Sequence, residues 1–481
     1  MNKKKKMVGL SFIMAIFLGL TACNGQNDMV ANQGGEKETY ELQPVGNYLT
    51  KEEHPYTNEG VKQNVEAIFA SEDGLCTILV YPDYYDITLD YERGTPKEVG
   101  IAYAHMVLEA FPDYEKIMEP YIYENIRLAF FGQNINYAVL EERMNVLLAS
   151  IPEEYKAEIK AFAATVSNGE NGFVENGNIS YEEALLVQMI PDALRPTACS
   201  ALSLWGSKTE TGEGITLRSL EWNLGSENQM GRVNAVTHIV KGARSVTTIG
   251  MLGIYTTISA INDNGVFVAI LDVGAADYPF VSEGKKCYTY DIRYALETYE
   301  NATDVGNYMV ANSGDYTWCH NLIITDAERS YCAENCVREV AQAGDGFSIL
   351  RDADTPIMEG LNWKSEDSLC VLNSYMTAGN KDDFTSSTAN LVRFAKYNDW
   401  VAAEEAFTVA EVKEMITQER TDQYEVENVH RQGVVHLVLI DYATGNIQVA
   451  FTKDEGVVDK PEFLDVGNFL DRKVTPEEKE R

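Results

Sequence analysis

Pro196-Thr197-Ala198-Cys199-Ser200-Ala201-Leu202-Ser203-Leu204-Trp205 sets a small residue before a cysteine and an alternating apolar segment after it. A polar loop over Ser207 to Gly214 follows, and then Ile215 to Trp222, which contains Arg218-Ser219-Leu220-Glu221. The period of two on both sides of a polar loop predicts a β-hairpin with Cys199 near its start. A thiol is the most readily activated side-chain nucleophile, because its ordinary pKa of about 8.5 leaves some thiolate near neutrality. A histidine usually takes its proton, yet none of His54, His105, His238, His320, His430 and His436 stands in a cysteine-protease context. A freed α-amine, with a pKa of about 7.7 to 8.0, could do so instead. That solution requires the Ala198-Cys199 bond to be cut first. A chain that kept Cys199 internal and used a histidine would be a conventional thiol protease.

Working outward, the segment before Cys199 reads as mostly helical over 101–198. Tyr137, Leu140, Met144 and Leu147 form a stripe at helical spacing, and Tyr155 to Val166 is entered through Pro152. Ser180 to Glu183 has the spacing of a capping box, and Pro191 and Pro196 predict an extended approach to the cysteine. Residues 37–100 mix short apolar runs with turn residues and read as a small mixed subdomain. After Cys199, strands are expected at Tyr255 to Ile261, Val266 to Leu271, Leu322 to Thr325, Val434 to Ile440 and Ile447 to Phe451. Asn262-Asp263-Asn264-Gly265 marks a tight turn. Helices are expected at Ile292 to Tyr299, Ala389 to Tyr397 and Thr408 to Glu419. Strands, then helices, then strands again predict an α+β chain with two packed antiparallel sheets and helices outside, over a catalytic segment 199–481.

The N-terminus carries an address. Lys3 to Lys6 precede an apolar run from Met7 to Leu20, too short for the roughly 20 residues a membrane-spanning helix needs. The run ends in Leu20-Thr21-Ala22-Cys23, the pattern of a bacterial lipoprotein signal over 1–22, with Cys23 as the acylated residue. Residues 23–36, rich in Asn, Gln and Gly, read as a flexible tether. The expected location is the extracytoplasmic face of a membrane, with attachment through the lipid. A net charge of −35 argues against nucleic acid as a partner and against adhesion of the protein body to anionic lipid. Seven cysteines besides Cys23 leave an odd number, so at least one thiol lacks an intrachain partner. No glycine-rich phosphate motif or metal-ligand spacing stands out, and no cofactor is expected.

The residues around Cys199 resemble those of the N-terminal-nucleophile linear amide hydrolases, which include choloylglycine hydrolases, penicillin V acylases, the acid ceramidase and N-acylethanolamine acid amidase group, and isopenicillin acyltransferase-like enzymes. Cys199-Ser200 is similar to the Cys-Thr or Cys-Ser that opens a strand in that pattern, and Arg218-Ser219-Leu220-Glu221-Trp222 to its Arg-Asn-Leu/Met-Asp-Trp/Phe. Arg218 lies a few residues further on than in the pattern, and Glu221 stands where the family has aspartate. The resemblance implies a four-layer αββα sandwich with a helical N-terminal extension, autoprocessing at Cys199 and hydrolysis of an acyl–amine bond through a thioester. It also implies roles for further residues. Asp272 sits where the family places an oxyanion asparagine, although an ionised carboxylate cannot donate a hydrogen bond. Asn321, in His320-Asn321-Leu322-Ile323-Ile324-Thr325-Asp326, matches the family's Asn-(x)4-Asp strand and is the expected side-chain oxyanion donor. Ser386-Ser387 and Arg393 resemble the approach to a late pocket arginine, and Asn373 the asparagine placed before it.

The expected partners are a small N-acylated amide and the chain's own N-terminal fragment. An acyltransferase or peptidase using the same cysteine, or a non-enzymatic solute-binding lipoprotein, are the alternative readings.

Overall fold

The computed structural model describes residues 65–130, 135–194, 198–273, 281–380, 388–402, 406–417 and 429–470. The leader, Cys23, the tether, residues 37–64, Pro196, Thr197 and Ser386-Ser387 lie outside them. The described residues form a mixed α+β structure with two sheets. No helix among them is long and apolar enough to cross a membrane.

The first sheet opens with strands from the segment read as a small mixed subdomain: β1 (Ala67–Ala70), β2 (Cys76–Val80) and β3 (Tyr85–Asp90). Six helices follow: α1 (Pro96–Ala110), α2 (Tyr114–Ala129), α3 (Tyr137–Ser150), α4 (Glu153–Val166), α5 (Tyr181–Val187) and α6 (Ile190–Leu194). Their starts obey local chemistry. Thr95 and Ser180 each close a reciprocal capping box, with Glu98 and Glu183, and Pro96 occupies the first turn of α1, where its missing N–H costs nothing. α6 occupies part of the stretch between Pro191 and Pro196 that was expected to be extended, with Pro191 tolerated in its first turn.

The Cys199 hairpin is present as expected: β4 (Ala198–Leu204) pairs antiparallel with β5 (Ile215–Glu221), setting Cys199 opposite Leu220 and Ala201 opposite Arg218. After α7 (Gln229–Arg232) come β6 (Asn234–Val240), β7 (Val246–Met251), β8 (Ser259–Asn262) and β9 (Phe267–Asp272). Then follow α8 (Tyr288–Thr298), α9 (Ala302–Asn312), β10 (His320–Thr325), β11 (Ser330–Asn335), α10 (Arg338–Ala343), β12 (Ile349–Arg351) and β13 (Ser368–Val371). The chain continues through α11 (Thr388–Ala402), α12 (Val409–Thr417), β14 (Val434–Asp441), β15 (Asn446–Phe451) and β16 (Leu464–Asn468).

Ten strands make one sheet in the order β1-β2-β3-β6-β7-β8-β9-β10-β11-β12, and six make the other in the order β13-β4-β5-β14-β15-β16. Every neighbouring pair is antiparallel except β3 and β6, which run parallel with Tyr85 beside Ala235 and Asp90 beside Val240. Residues 67–90 are therefore part of the main sheet, and that parallel seam joins the chain before Cys199 to the chain after it.

The hairpin is buried on both faces. Cys199, Ala201 and Leu220 belong to one large apolar cluster with Val435, Val438 and residues of β8, β9 and β10. Leu202, Leu204, Ile215 and Leu217 belong to a second, with Tyr397 and Val401 of α11 and Val412 and Ile416 of α12. Side chains alternate across a strand, so successive hairpin residues enter different cores. In the β8–β9 turn, the Asn262 side chain accepts from the amides of Asn264 and Val266, and donates to the carbonyls of Leu296 and Tyr299. Gly265 there has φ +83°, and a Cβ would come within 2.8 Å of Phe469, so both conformation and space call for glycine.

Candidate active site

Cys199 is fully buried, and three of its atoms are each engaged by a different side chain. Its amide nitrogen donates to Asn373 Oδ1 at 2.7 Å. Its sulfur accepts from Arg218 Nη2 at 3.4 Å. Its carbonyl oxygen accepts from Arg393 Nη1 at 2.7 Å. Burial pushes the Cys199 thiol above its ordinary pKa; Arg218 and the Glu221 amide pull the other way.

Arg218 reaches the thiol from the face of β5 that points toward β9. The same Nη2 donates to Ile270 O at 3.0 Å, and Nη1 lies 3.2 Å from His436 Nε2. Because a guanidinium only donates, His436 accepts through Nε2 and is neutral. Burial, together with the charge of Arg218, holds the His436 pKa well below the usual histidine range. Arg218 is fully buried, and among the described residues no carboxylate is hydrogen-bonded to it and its Nε has no hydrogen-bond partner.

Three residues after Arg218, Glu221 points to the opposite face, as an undistorted strand requires. A separation of three on one strand cannot bring both side chains to the thiol without a bend in that strand. Instead, the bulge lies on the neighbouring β14, between Val434 and His436, and Glu221 acts from the other side. Its Oε1 accepts from Arg393 Nη1 at 2.9 Å and its Oε2 from Arg431 Nε at 2.7 Å. Arg393, on α11, thereby links Glu221, the Cys199 carbonyl and, through Nη2 at 2.9 Å, both Asn373 Oδ1 and Asn390 Oδ1.

Asn373 follows β13 and ties the site to the other sheet: its Nδ2 donates to the Asp272 carbonyl at 2.7 Å. Asp272 thus meets the constellation through its backbone. Asn321, on β10, is buried beside the same segment, and its Nδ2 donates to the carbonyls of Leu372 and Ser374, both at 2.9 Å. Both amide hydrogens are engaged, so in this arrangement Asn321 braces the residues on either side of Asn373 and has no donor to offer a substrate.

The structure therefore gathers Cys199, Arg218, Glu221, Asn373 and Arg393 into one hydrogen-bonded group, with Asn321 and Asp272 beside it. Cys23 lies outside the described residues. Sequence reading missed His436, Arg431 and Asn390. Only Asn390 carried a local signal, being three residues before Arg393 on an expected helix; the other two arrive from β14 and its approach. Three arginines and one carboxylate leave this site positively charged within a chain of net charge −35, which favours an anion such as a thiolate or a tetrahedral oxyanion.

No protein-family model matches the sequence, and no curated protein is similar to it. Over about 55% of its length the chain is similar to several solved structures. An N-acylethanolamine-hydrolyzing acid amidase ortholog from Caenorhabditis elegans matches at 8% identity and TM-score 0.37, covering 55% of this chain and 100% of that one. The R18L variant of a conjugated bile acid hydrolase from Clostridium perfringens matches at 12% identity and TM-score 0.35, covering 56% and 94%. A penicillin V acylase from Agrobacterium tumefaciens matches at 11% identity and TM-score 0.32, covering 56% and 93%.

Proposed function

We propose that this protein is a self-processing cysteine amidase whose nucleophile becomes N-terminal by cleavage of Ala198–Cys199. The observation that carries the reading is the separate engagement of the Cys199 nitrogen, sulfur and carbonyl oxygen by Asn373, Arg218 and Arg393. A merely structural buried cysteine does not need its three polar atoms held by three separate polar side chains, two of them buried arginines.

In the first reaction the Cys199 sulfur attacks the Ala198 carbonyl carbon, the C–N bond breaks and the nitrogen takes up a proton. The resulting thioester is opened by water, which leaves a carboxylate on Ala198 and an α-amine and thiol on Cys199. In the second, the α-amine accepts the thiol proton, the thiolate attacks the carbonyl of a linear N-acyl amide, and the leaving amine departs with that proton. Water then releases the acyl group. Arg218 stabilises the thiolate, and neutral His436 keeps that guanidinium aimed at the sulfur. Asn373 Oδ1 holds the amine, and its Nδ2, which has a second hydrogen beyond the Asp272 bond, serves the oxyanion. Arg393 and Glu221 fix Asn373 and the Cys199 carbonyl, and Asn321 holds Asn373 in place from behind.

The four-layer αββα order and lipid anchoring through Cys23 belong to the same proposal. So does retention of the N-terminal fragment after cleavage, which the β3–β6 pairing supports. Intact mass and N-terminal sequencing of the mature protein test the reading. Two chains, one of them beginning at Cys199, are expected for the wild type, and a single chain for Cys199→Ala. An uncut wild-type chain would sink it.

A further inference from the structure

Cys319 and Cys336 flank the β10–β11 hairpin at its open end. The last paired residues there are His320 and Asn335, so the two cysteines stand opposite each other one step further out. Directly opposed residues of an antiparallel pair lie about 4.5–5.5 Å apart at Cα, within the roughly 4.4–6.8 Å that a disulfide spans. Both thiols are reduced in the structure, both are buried, and they share one small apolar cluster with Val273, Val337, Val340 and Tyr375. The Cys336 thiol donates to the Val337 carbonyl at 3.6 Å and lies against the Cys319 thiol. Seven buried thiols are present among the described residues, but Cys319 and Cys336 alone face each other across a hairpin register.

We propose that Cys319 and Cys336 form a redox-active pair that closes to a cross-strand disulfide by exchange with a small-molecule or protein disulfide. One protein thiolate attacks the oxidant's S–S bond, giving a mixed disulfide and releasing one thiol. The second thiolate attacks the protein-bound sulfur, forming the 319–336 bond and releasing the second thiol. The two cysteine sulfurs are oxidised, and the oxidant is reduced to two thiols that carry the two protons. The pair lies under the segment that presents Asn373: Tyr375, two residues on, packs in the same cluster and bonds to the Asn335 carbonyl. The inference does not depend on Cys199 being freed.

The contact with Cys319 and then burial push the Cys336 thiol far above its ordinary pKa. Since the thiolate is the attacking form, exchange in the closed native state is slow, and it proceeds when the hairpin mouth opens. The test therefore uses the full chain with excess oxidised glutathione at pH 8.5, once in buffer and once in urea just below the unfolding midpoint. Both samples are then alkylated in denaturant and digested without reduction. The expected product is a Cys319 peptide linked to a Cys336 peptide, two hydrogens lighter than the reduced pair, absent after dithiothreitol and absent from Cys336→Ser. Cys332→Ala should still give it. Alkylation of both cysteines in both arms, or linkage of either one to Cys332 or Cys370 instead, would overturn the proposal.

Discussion

Two buried arginine clusters in this molecule are built on opposite principles. Around Arg293, on α8, every charge has an opposite one against it. Its guanidinium pairs with Glu158 of α4 and, through Nε at 2.9 Å, with Glu297. Lys241 pairs with Glu297 at 2.7 Å and Glu154 at 3.0 Å, and Tyr155 donates to Glu297 at 2.9 Å. The Arg293 guanidinium also lies over the Tyr155 ring, 4.4 Å from its centroid. Around Cys199, by contrast, Arg218 meets a sulfur, a neutral imidazole and a carbonyl, and one of its nitrogens has no partner among the described residues. A closed set of charges holds structure together; a cation left short of an anion is prepared to receive one. The first cluster also joins α4, from before the proposed cut, to α8, from after it.

The contrast can be broken most forcefully at Arg293. Arg293→Met strands the Glu158 carboxylate in the interior, leaving Glu297 to Lys241 and Tyr155, and should cost about 3–5 kcal/mol of stability by denaturant unfolding, while Cys199 alkylation under native conditions stays within a few-fold of wild type. Arg218→Met should do the reverse. It should lower turnover and thiol alkylation by about 10²–10³-fold, with a smaller change in unfolding midpoint. Because burial already raises the Cys199 pKa, wild-type alkylation should climb with pH beyond the range of an exposed thiol, and Arg218→Met should move that climb higher still. An alkylation profile unaltered by this substitution would remove Arg218 from the site. Asn321→Ala releases the two carbonyls that flank Asn373 and, by misplacing Asn373, should lower turnover by about 10²-fold. As a positioning effect, it should be partly recovered by Asn321→Gln, as read in kcat at saturating substrate.

A smaller effect sharpens the comparison at its edge. Burial holds His320, beside Asn321, down to a pKa of about 4, against about 6.5 in an unfolded chain. Below about 6.5 the unfolded state takes up the proton first, so the contribution of His320 to stability is complete above that pH. It is lost as pH falls toward 4, at up to about 1.4 kcal/mol per unit. The difference in unfolding free energy between wild type and His320→Gln should therefore shrink across that window, and a pH-independent difference would contradict the assignment.

Much of this was legible in the sequence where the signal is local. The Cys199 hairpin, the Ser180 capping box, the Asn262–Gly265 turn and the helices over 153–166 and 388–402 follow from alternation, helical period and capping chemistry. Strands β6 and β7 escaped, because Asn234–Val240 and Val246–Met251 mix Thr, His and Gly with apolar residues and gain their burial from distant partners. Arg218, Glu221, Asn373 and Arg393 were identified from their resemblance to a residue pattern, but the sequence left their contacts undefined.

By itself, then, the sequence determined a thiol at the head of a hairpin, an arginine and a carboxylate on its second strand, and an acidic chain. Only the tertiary structure decided that Arg218 and Glu221 serve Cys199 from opposite faces, that Arg393 and Asn373 join those faces, and that His436 and Arg431 complete them. The reason is that period and capping are set by neighbours along the chain, whereas these contacts depend on strand register and on residues up to 218 positions apart in sequence.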